Sequence, residues 1–153
     1  MKPVLTKSLF AAAGLAIVAG LTVPAAARHF SGFHGIAQNP AQATCFANGW
    51  GAIQNQCAAT RTYCMPLVID DGVFGTYADA AVTVLQPGSA TLSCQTTTTT
   101  RDGSPYSWSG NINASRTGAY VDVVVHGGPI PSGGGAYTCC DLPPGGQIAT
   151  LNY

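Results

Sequence analysis

Cysteine is the residue type with the clearest chemical role in this chain. All six cysteines follow residue 44, and an even number is typical of an exported protein that forms three disulfides. Their spacing lacks the close pairs that hold structural zinc, so we expect oxidised cysteines and no metal site. The six residues are Cys45, Cys57, Cys64, Cys94, Cys139 and Cys140.

One disulfide is predicted by the alternation of side chains along strands. Leu92 shares a strand face with Cys94, and Leu142 shares one with Cys140. Because leucine marks the buried side, we predict the pair Cys94–Cys140, and we expect the disulfides to clamp two layers of strands. Cys139 then points outward. Two arrangements of the other four cysteines stay open: Cys45–Cys64 with Cys57–Cys139, and Cys45–Cys57 with Cys64–Cys139.

Histidine offers little for acid–base catalysis. His29 and His34 fall in a segment without a regular pattern, whereas His126 ends a predicted strand. Asp122 shares a strand face with His126 but lies about 13 Å away along the strand, too far for direct contact. We therefore interpret His126 as an exposed residue at a strand end. We expect no catalytic residues and no cofactor.

Acidic and glycine-rich motifs do not complete a site either. Asp70 and Asp71 are neighbours, so on a strand they point to opposite faces and do not flank a substrate as paired carboxylates. They also lack the spacing of a calcium-binding loop. The glycines of 133–135 are not followed by the lysine of a phosphate-binding loop.

The aromatic residues give the one positive indication of binding. Tyr106 and Trp108 share one face of a short strand among small polar residues, which suits a platform for a sugar ring or an apolar partner. The competing interpretation places the rings in the core, where aromatic side chains bury the most surface. We favour the core for both Trp108 and Trp50. Tyr106 and Trp108 are nevertheless the candidate ligand-binding residues.

Residues 1–27 predict export. Lys2 and Lys7 precede an apolar stretch of 15 residues and then small residues suited to cleavage, which is the pattern of a secretory signal peptide. The predicted mature chain has 126 residues, with four arginines, six aspartates and no lysine or glutamate. We expect a secreted or periplasmic protein without a nucleic-acid partner and without membrane attachment after cleavage. Asn113 lies in an N-glycosylation motif, whose use depends on the host.

The pattern between turns predicts an all-β fold. Short runs rich in Val, Thr, Ile and aromatic residues alternate with Gly- and Pro-containing turns, and no long window has a helical period. We predict a disulfide-stapled antiparallel β-sandwich of about eight short strands over 45–153, after an extended lead-in over 28–44; a small β-barrel is the alternative. The predicted strands are Trp50–Asn55, Thr62–Ile69, Ala80–Leu85, Ala90–Thr99, Tyr106–Ser109, Tyr120–His126, Ala136–Leu142 and Gln147–Asn152.

These features favour a secreted, non-catalytic binding or surface-interaction module whose partner is an unknown protein or glycan. The strand faces and the glycine-rich loop 127–135 are the candidate contact regions. An extracellular structural or assembly component is the alternative. A small secreted hydrolase or redox protein is the least favoured interpretation.

Overall fold

The computed structural model describes residues 28–68 and 77–153. Within them the chain forms two antiparallel sheets that do not close into a barrel. The predicted β-sandwich is therefore confirmed over the barrel. The predicted signal peptide, the Asp70–Asp71 pair and the end of the strand predicted over Thr62–Ile69 lie outside the described residues.

The strands are numbered β1 to β12 in chain order over the described residues. Sheet A contains β1 (His29–Ser31), β3 (Phe46–Gly49), β4 (Ala52–Asn55), β6 (Ala80–Leu85), β10 (Tyr120–Val125) and β12 (Gln147–Asn152). Sheet B contains β2 (Ile36–Ala37), β5 (Arg61–Leu67), β7 (Ser93–Thr99), β8 (Pro105–Trp108), β9 (Ile112–Asn113) and β11 (Gly135–Leu142). Two short 3-10 helices, Gly32–His34 and Pro40–Cys45, lie in the N-terminal part.

The strand order places β12 and β11 in the interior of their sheets. Sheet A runs β10-β6-β12-β4-β3, with β1 pairing to β12 beside β4. Sheet B runs β2-β5-β11-β7-β8, with β9 pairing to β7 beside β8. All eight predicted strands are present, and β6 and β12 have the predicted bounds. The four strands that the pattern does not predict, β1, β2, β3 and β9, have two to four residues each.

The core lies between the sheets and follows from alternation. In β6, Val82 and Val84 are fully buried while their neighbours are only half-buried. Leu142 of β11 faces them from the side of sheet B and is fully buried as well. The threonine tract of β7 also contributes to this interior, where the hydroxyls of Thr96 and Thr138 are hydrogen-bonded at 2.8 Å. The tract is therefore a strand of the sandwich.

Two of the three disulfides lie within sheet B, and the third joins the two ends of the β3–β4 hairpin of sheet A. Cys94 pairs with Cys140, as alternation predicts. Of the two arrangements left open for the other four cysteines, the structure has Cys45–Cys57 with Cys64–Cys139. The expectation that the disulfides clamp two layers is wrong, because Cys64 and Cys94 lie directly opposite Cys139 and Cys140 on the strands that flank β11.

Adjacent cysteines of β11 are bonded to different strands because antiparallel pairing alternates. Along a central strand, each residue forms a hydrogen-bonded pair with one neighbouring strand and the close, non-hydrogen-bonded pair with the other. Both disulfides have a Cα–Cα distance of 4.0 Å, as expected for such close pairs. Cys139 lies on the opposite strand face to Cys140, as predicted, but its bond to Cys64 leaves it only 2% exposed.

The predicted lead-in over 28–44 crosses from one sheet to the other. Its β1 pairs with β12 of sheet A and its β2 pairs with β5 of sheet B. Between these strands the backbone at Gly32 passes so close to β12 that a Cβ there would lie 2.2 Å from the Ile148 carbonyl oxygen. The close approach requires glycine and fixes the segment against the sandwich.

Trp50 is not in the core, which corrects the prediction from composition. It lies with Gly51 in the two-residue turn between β3 and β4, and its side chain is fully exposed. Gly49 pairs with Ala52, so the turn residues extend beyond the last paired position. Both turn residues have positive φ, 55° at Trp50 and 84° at Gly51, as a type I′ hairpin turn requires.

Candidate functional site

Tyr106 and Trp108 project into solvent from the outer face of sheet B. Trp108 is 76% exposed and Tyr106 is 57% exposed, so the interpretation of Trp108 as a core residue is wrong. Both rings point outward because Ser107, between them, takes the inward position on β8. Gly128 approaches this position so closely that a Cβ added to Gly128 would lie 2.0 Å from the Ser107 hydroxyl. An aromatic ring has no room on that side.

A hydrogen-bonded turn fixes the start of β8. The N–H of Thr100 donates to the Ser104 carbonyl at 2.9 Å, and the Asp102 carboxylate accepts from the Thr100 hydroxyl and from the Ser104 N–H. The Thr100 hydroxyl in particular holds the pKa of the Asp102 carboxyl below its usual value. A register shift between Thr98 and Thr99 then leaves Tyr106 as an extra residue on β8.

Four residues in register form a row across the outer face of sheet B. Trp108 of β8 is opposite Thr97 of β7, which is opposite Tyr137 of β11. Tyr137 is in turn opposite Pro66 of β5. We call these four residues the cross-strand row. With strands about 4.8 Å apart, Trp108 and Tyr137 lie about 10 Å apart at the backbone, and Trp108 and Pro66 about 14 Å.

Two open grooves adjoin the row. One has a volume of about 350 Å³ and is formed by β8 and Thr97, which is only 8% exposed and forms its floor. The other has a volume of about 380 Å³ and is bordered by Ile36, whose side chain is 72% exposed. Tyr137 and Pro66 line this second groove. The remaining lining residues are Pro105, Tyr106, Ser107 and Trp108 in the first groove, and His34, Gln38 and Cys64 in the second.

The row and both grooves are lined without carboxylate, ammonium or guanidinium groups. His34 is the one basic side chain among the lining residues, and its Nδ1 lies 3.2 Å from the Ser31 carbonyl oxygen. Asp141 lies two residues beyond Cys139 on β11, where its carboxylate accepts a hydrogen bond from the Thr62 hydroxyl at 2.6 Å. The row and its two grooves therefore offer shape, aromatic rings and neutral polar groups.

His126 lies at the surface, where alternation placed it. Its ring Nδ1 is 3.6 Å from the Asp79 carboxylate, and both side chains are mostly exposed. Asp122, on the same strand as His126, instead accepts a hydrogen bond from the Thr83 hydroxyl at 2.6 Å. Among the described residues, no three His, Cys, Asp or Glu side chains are grouped to hold a metal ion.

Sequence reasoning identified Tyr106 and Trp108 but missed the other three residues of the row. Tyr137 stands between buried Ala136 and Thr138, so its outward direction was readable from alternation. Its alignment with Trp108 could not be predicted in this way, because that alignment depends on the register of three strands.

No protein-family model fits the chain, and the search of curated proteins finds no relative. The described residues also contain no helix of the length and hydrophobicity needed to cross a membrane. The three disulfides are compatible with an oxidising compartment.

Proposed function

We propose that this protein is exported and acts as a non-catalytic binding protein, with the cross-strand row and Tyr106 as its contact surface. The observation that carries the proposal is the exposure of Trp108 and Tyr106 side by side in a groove that is lined without charged side chains. The predicted signal sequence and the three disulfides support an extracellular or periplasmic setting.

The exposure of these side chains supports binding because it is energetically unfavourable in the free protein. Burying apolar surface contributes roughly 25 cal/mol per Å², and an aromatic side chain offers about 150 to 250 Å². Trp108 and Ile36 lie near opposite ends of the row, and each leaves most of its apolar side-chain surface in water. Concentrated apolar exposure on a soluble protein is typical of an interaction site.

The surroundings of His126 support a role without catalysis. A general base works best in a site that excludes water and holds the reacting groups in place. The imidazole of His126 and the carboxylate of Asp79 are instead mostly exposed. Proton transfer by this pair would therefore take place in open solvent.

A binding screen with matched tryptophan variants tests the proposal. Mature protein from culture medium is immobilised and probed with a glycan array and with purified extracellular proteins. Trp108→Ala removes a ring of the row, whereas Trp50→Ala removes a fully exposed ring at the β3–β4 hairpin turn of sheet A. We expect a ligand whose affinity falls at least about tenfold in Trp108→Ala and is unchanged in Trp50→Ala. Equal affinity of both variants and the unmodified protein for every ligand found would contradict the proposal.

Export is checked on the same sample. Intact-mass analysis is expected to show the loss of residues 1–27 and the loss of six hydrogen atoms on disulfide formation. An uncut chain or free thiols in the natural product would contradict the export part of the proposal and leave the binding assay to be judged separately.

A further inference from the structure

We infer that the ligand is a neutral, extended polysaccharide chain that lies along the cross-strand row, perpendicular to the strands. This inference rests on the binding function proposed above and adds the chemical class and the direction of the ligand. It is carried by the spacing of the row, by the kind of groups that line it and by the absence of charge along it.

The spacing of the row matches the repeat of a sugar chain. Strands lie about 4.8 Å apart, which is close to the length of one pyranose unit in an extended, β-linked chain. Each strand therefore faces one sugar unit. Trp108 and Tyr137 are two strands apart, so they meet alternate units, and Pro66 meets the next unit after Tyr137. The four residues accommodate four units.

The chemistry of the row matches the two kinds of surface on a sugar ring. The faces of a pyranose carry C–H groups that pack on aromatic rings, which Trp108 and Tyr137 supply. The ring edges carry hydroxyl groups that both donate and accept hydrogen bonds. Thr97 on the groove floor and Gln38 at the second groove carry neutral groups that do the same.

The charge pattern selects a neutral chain. A sulfated or uronic-acid polysaccharide requires cations along its path, as nucleic acids do. The row contains none, and the predicted mature chain carries six aspartates against four arginines. Arg101, in the turn before β8, lies beside the backbone of Gly133, 2.7 Å from where a Cβ would be, and outside the row.

A peptide that joins the sheet edge as an extra strand is disfavoured. At the Trp108 end of the row the edge strand is β8, which begins with Pro105 and contains the register shift opposite Thr98 and Thr99. At the other end, β2 pairs with β5 only at Tyr63 and Cys64, and Pro66 follows on β5. Proline and bulges both interrupt the ladder that an added strand would use. A proline-rich peptide packs on aromatic rings without strand pairing, so the experiment below tests it as the competing ligand.

Calorimetric titration of the oxidised, full mature protein tests the inference. The probes are β-1,4-linked glucose and N-acetylglucosamine oligosaccharides of two to six units, heparin, and a polyproline peptide. We expect neutral oligosaccharides to bind with an affinity that rises up to four units, levels off, and is insensitive to salt. Trp108→Ala and Tyr137→Leu are each expected to weaken binding about tenfold, and Trp50→Ala to leave it unchanged. Tyr137→Leu keeps an apolar side chain at a half-buried position, and thermal denaturation verifies that it folds.

The outcomes separate the ligand class from the binding function. Binding of heparin or polyproline that depends on Trp108, without binding of neutral oligosaccharides, would overturn the inference and leave the proposed function intact. Neutral-sugar binding that is independent of chain length or of Tyr137 would overturn the placement along the row. If none of these probes and no ligand of the broader screen depends on Trp108, both the inference and the proposed function fail.

Discussion

The side-chain amide of Asn55 donates a hydrogen bond to the main-chain carbonyl of Leu142 at 2.7 Å and so joins β4 of sheet A to β11 of sheet B. Asn55 is fully buried and uses its whole amide. The same Nδ2 donates to the Ala59 carbonyl at 2.9 Å, and Oδ1 accepts from the Cys57 N–H at 3.0 Å. Because Cys64–Cys139 and Cys94–Cys140 each join strands of the same sheet, this residue provides a polar link between the layers.

Replacing Asn55 is expected to destabilise the fold strongly. Asn55→Ala leaves the buried Leu142 carbonyl without its partner, which costs about 1 to 3 kcal/mol. It also removes the hydrogen bonds to the part-buried Ala59 carbonyl and Cys57 N–H, each worth about 0.5 to 1.5 kcal/mol. We expect a loss of about 3 kcal/mol or more in the free energy of unfolding, measured by urea denaturation. Asn48→Ala, on the exposed end of β3, is the matched control and is expected to change stability by less than about 0.5 kcal/mol. A cost below about 1 kcal/mol for Asn55→Ala would refute this account.

Replacing Trp50 is expected to stabilise the protein. Its φ of 55° lies in the left-handed region, which costs a non-glycine residue about 1 to 2 kcal/mol, and its exposed ring has no packing to lose. Asparagine tolerates this conformation and is preferred at the first position of a type I′ turn. Trp50→Asn should therefore raise the free energy of unfolding by about 1 kcal/mol in thermal or urea denaturation. Gly51→Ala, at φ 84°, should lower it. A Trp50→Asn protein less stable than the parent would contradict the turn assignment.

Gly32→Ala is expected to loosen the N-terminal segment. The added methyl group would lie 2.2 Å from the Ile148 carbonyl oxygen, so the backbone must shift. Overpacking of this kind costs typically about 1 to 3 kcal/mol. Gly49→Ala is the control, because a Cβ there has nothing within 4 Å. Hydrogen exchange of β1 should quicken in the first variant and not in the second. Unchanged stability and exchange in Gly32→Ala would mean that the segment is not held as described.

Tyr63 is expected to make the fold sensitive to alkaline pH. Burial raises the pKa of its phenol above the ordinary value of 10.0, and its hydroxyl donates to the Gly35 carbonyl at 2.6 Å. Since the folded-state pKa is raised, the contribution of this group to stability is complete below pH 10.0 and is lost as the pH rises through the folded-state pKa.

The measurement is urea denaturation at neutral pH and above pH 10.0, with Tyr63→Phe for comparison. The unmodified protein should lose more stability over this range than the variant, which has no proton to release at that position. Equal pH dependence of the two proteins would show that Tyr63 does not cause the effect.

Local alternation accounts for what the sequence predicts well. A strand repeats every two residues, so the bounds of β6 and β12 and the inward direction of Cys94 and Cys140 follow from neighbouring residues alone. The pairing between strands does not follow from neighbouring residues alone. Composition places Trp50 in the core, because aromatic side chains bury the most surface. The pairing of Gly49 with Ala52 places it in the turn between β3 and β4 instead.

The candidate site shows the same division. The shared face of Tyr106 and Trp108 was predictable, since they are two residues apart on a strand. Which side of β8 that face occupies was not, because it is decided by the close approach of Gly128, which follows β10 about 20 residues later in the chain. The alignment of Trp108 with Tyr137 likewise depends on register across three strands.

The paired cysteines of β11 also determine how the protein responds to cleavage. Cys64–Cys139 and Cys94–Cys140 fasten one strand to both of its neighbours through consecutive residues. A protease that cuts the chain once, anywhere between Cys64 and Cys139, releases no fragment, because at least one of these two bonds still joins the pieces. Such nicked molecules hold both pieces together, heavier by the one water that hydrolysis adds, until they meet a reductant, so a single cut there does not by itself shed any part of the sandwich.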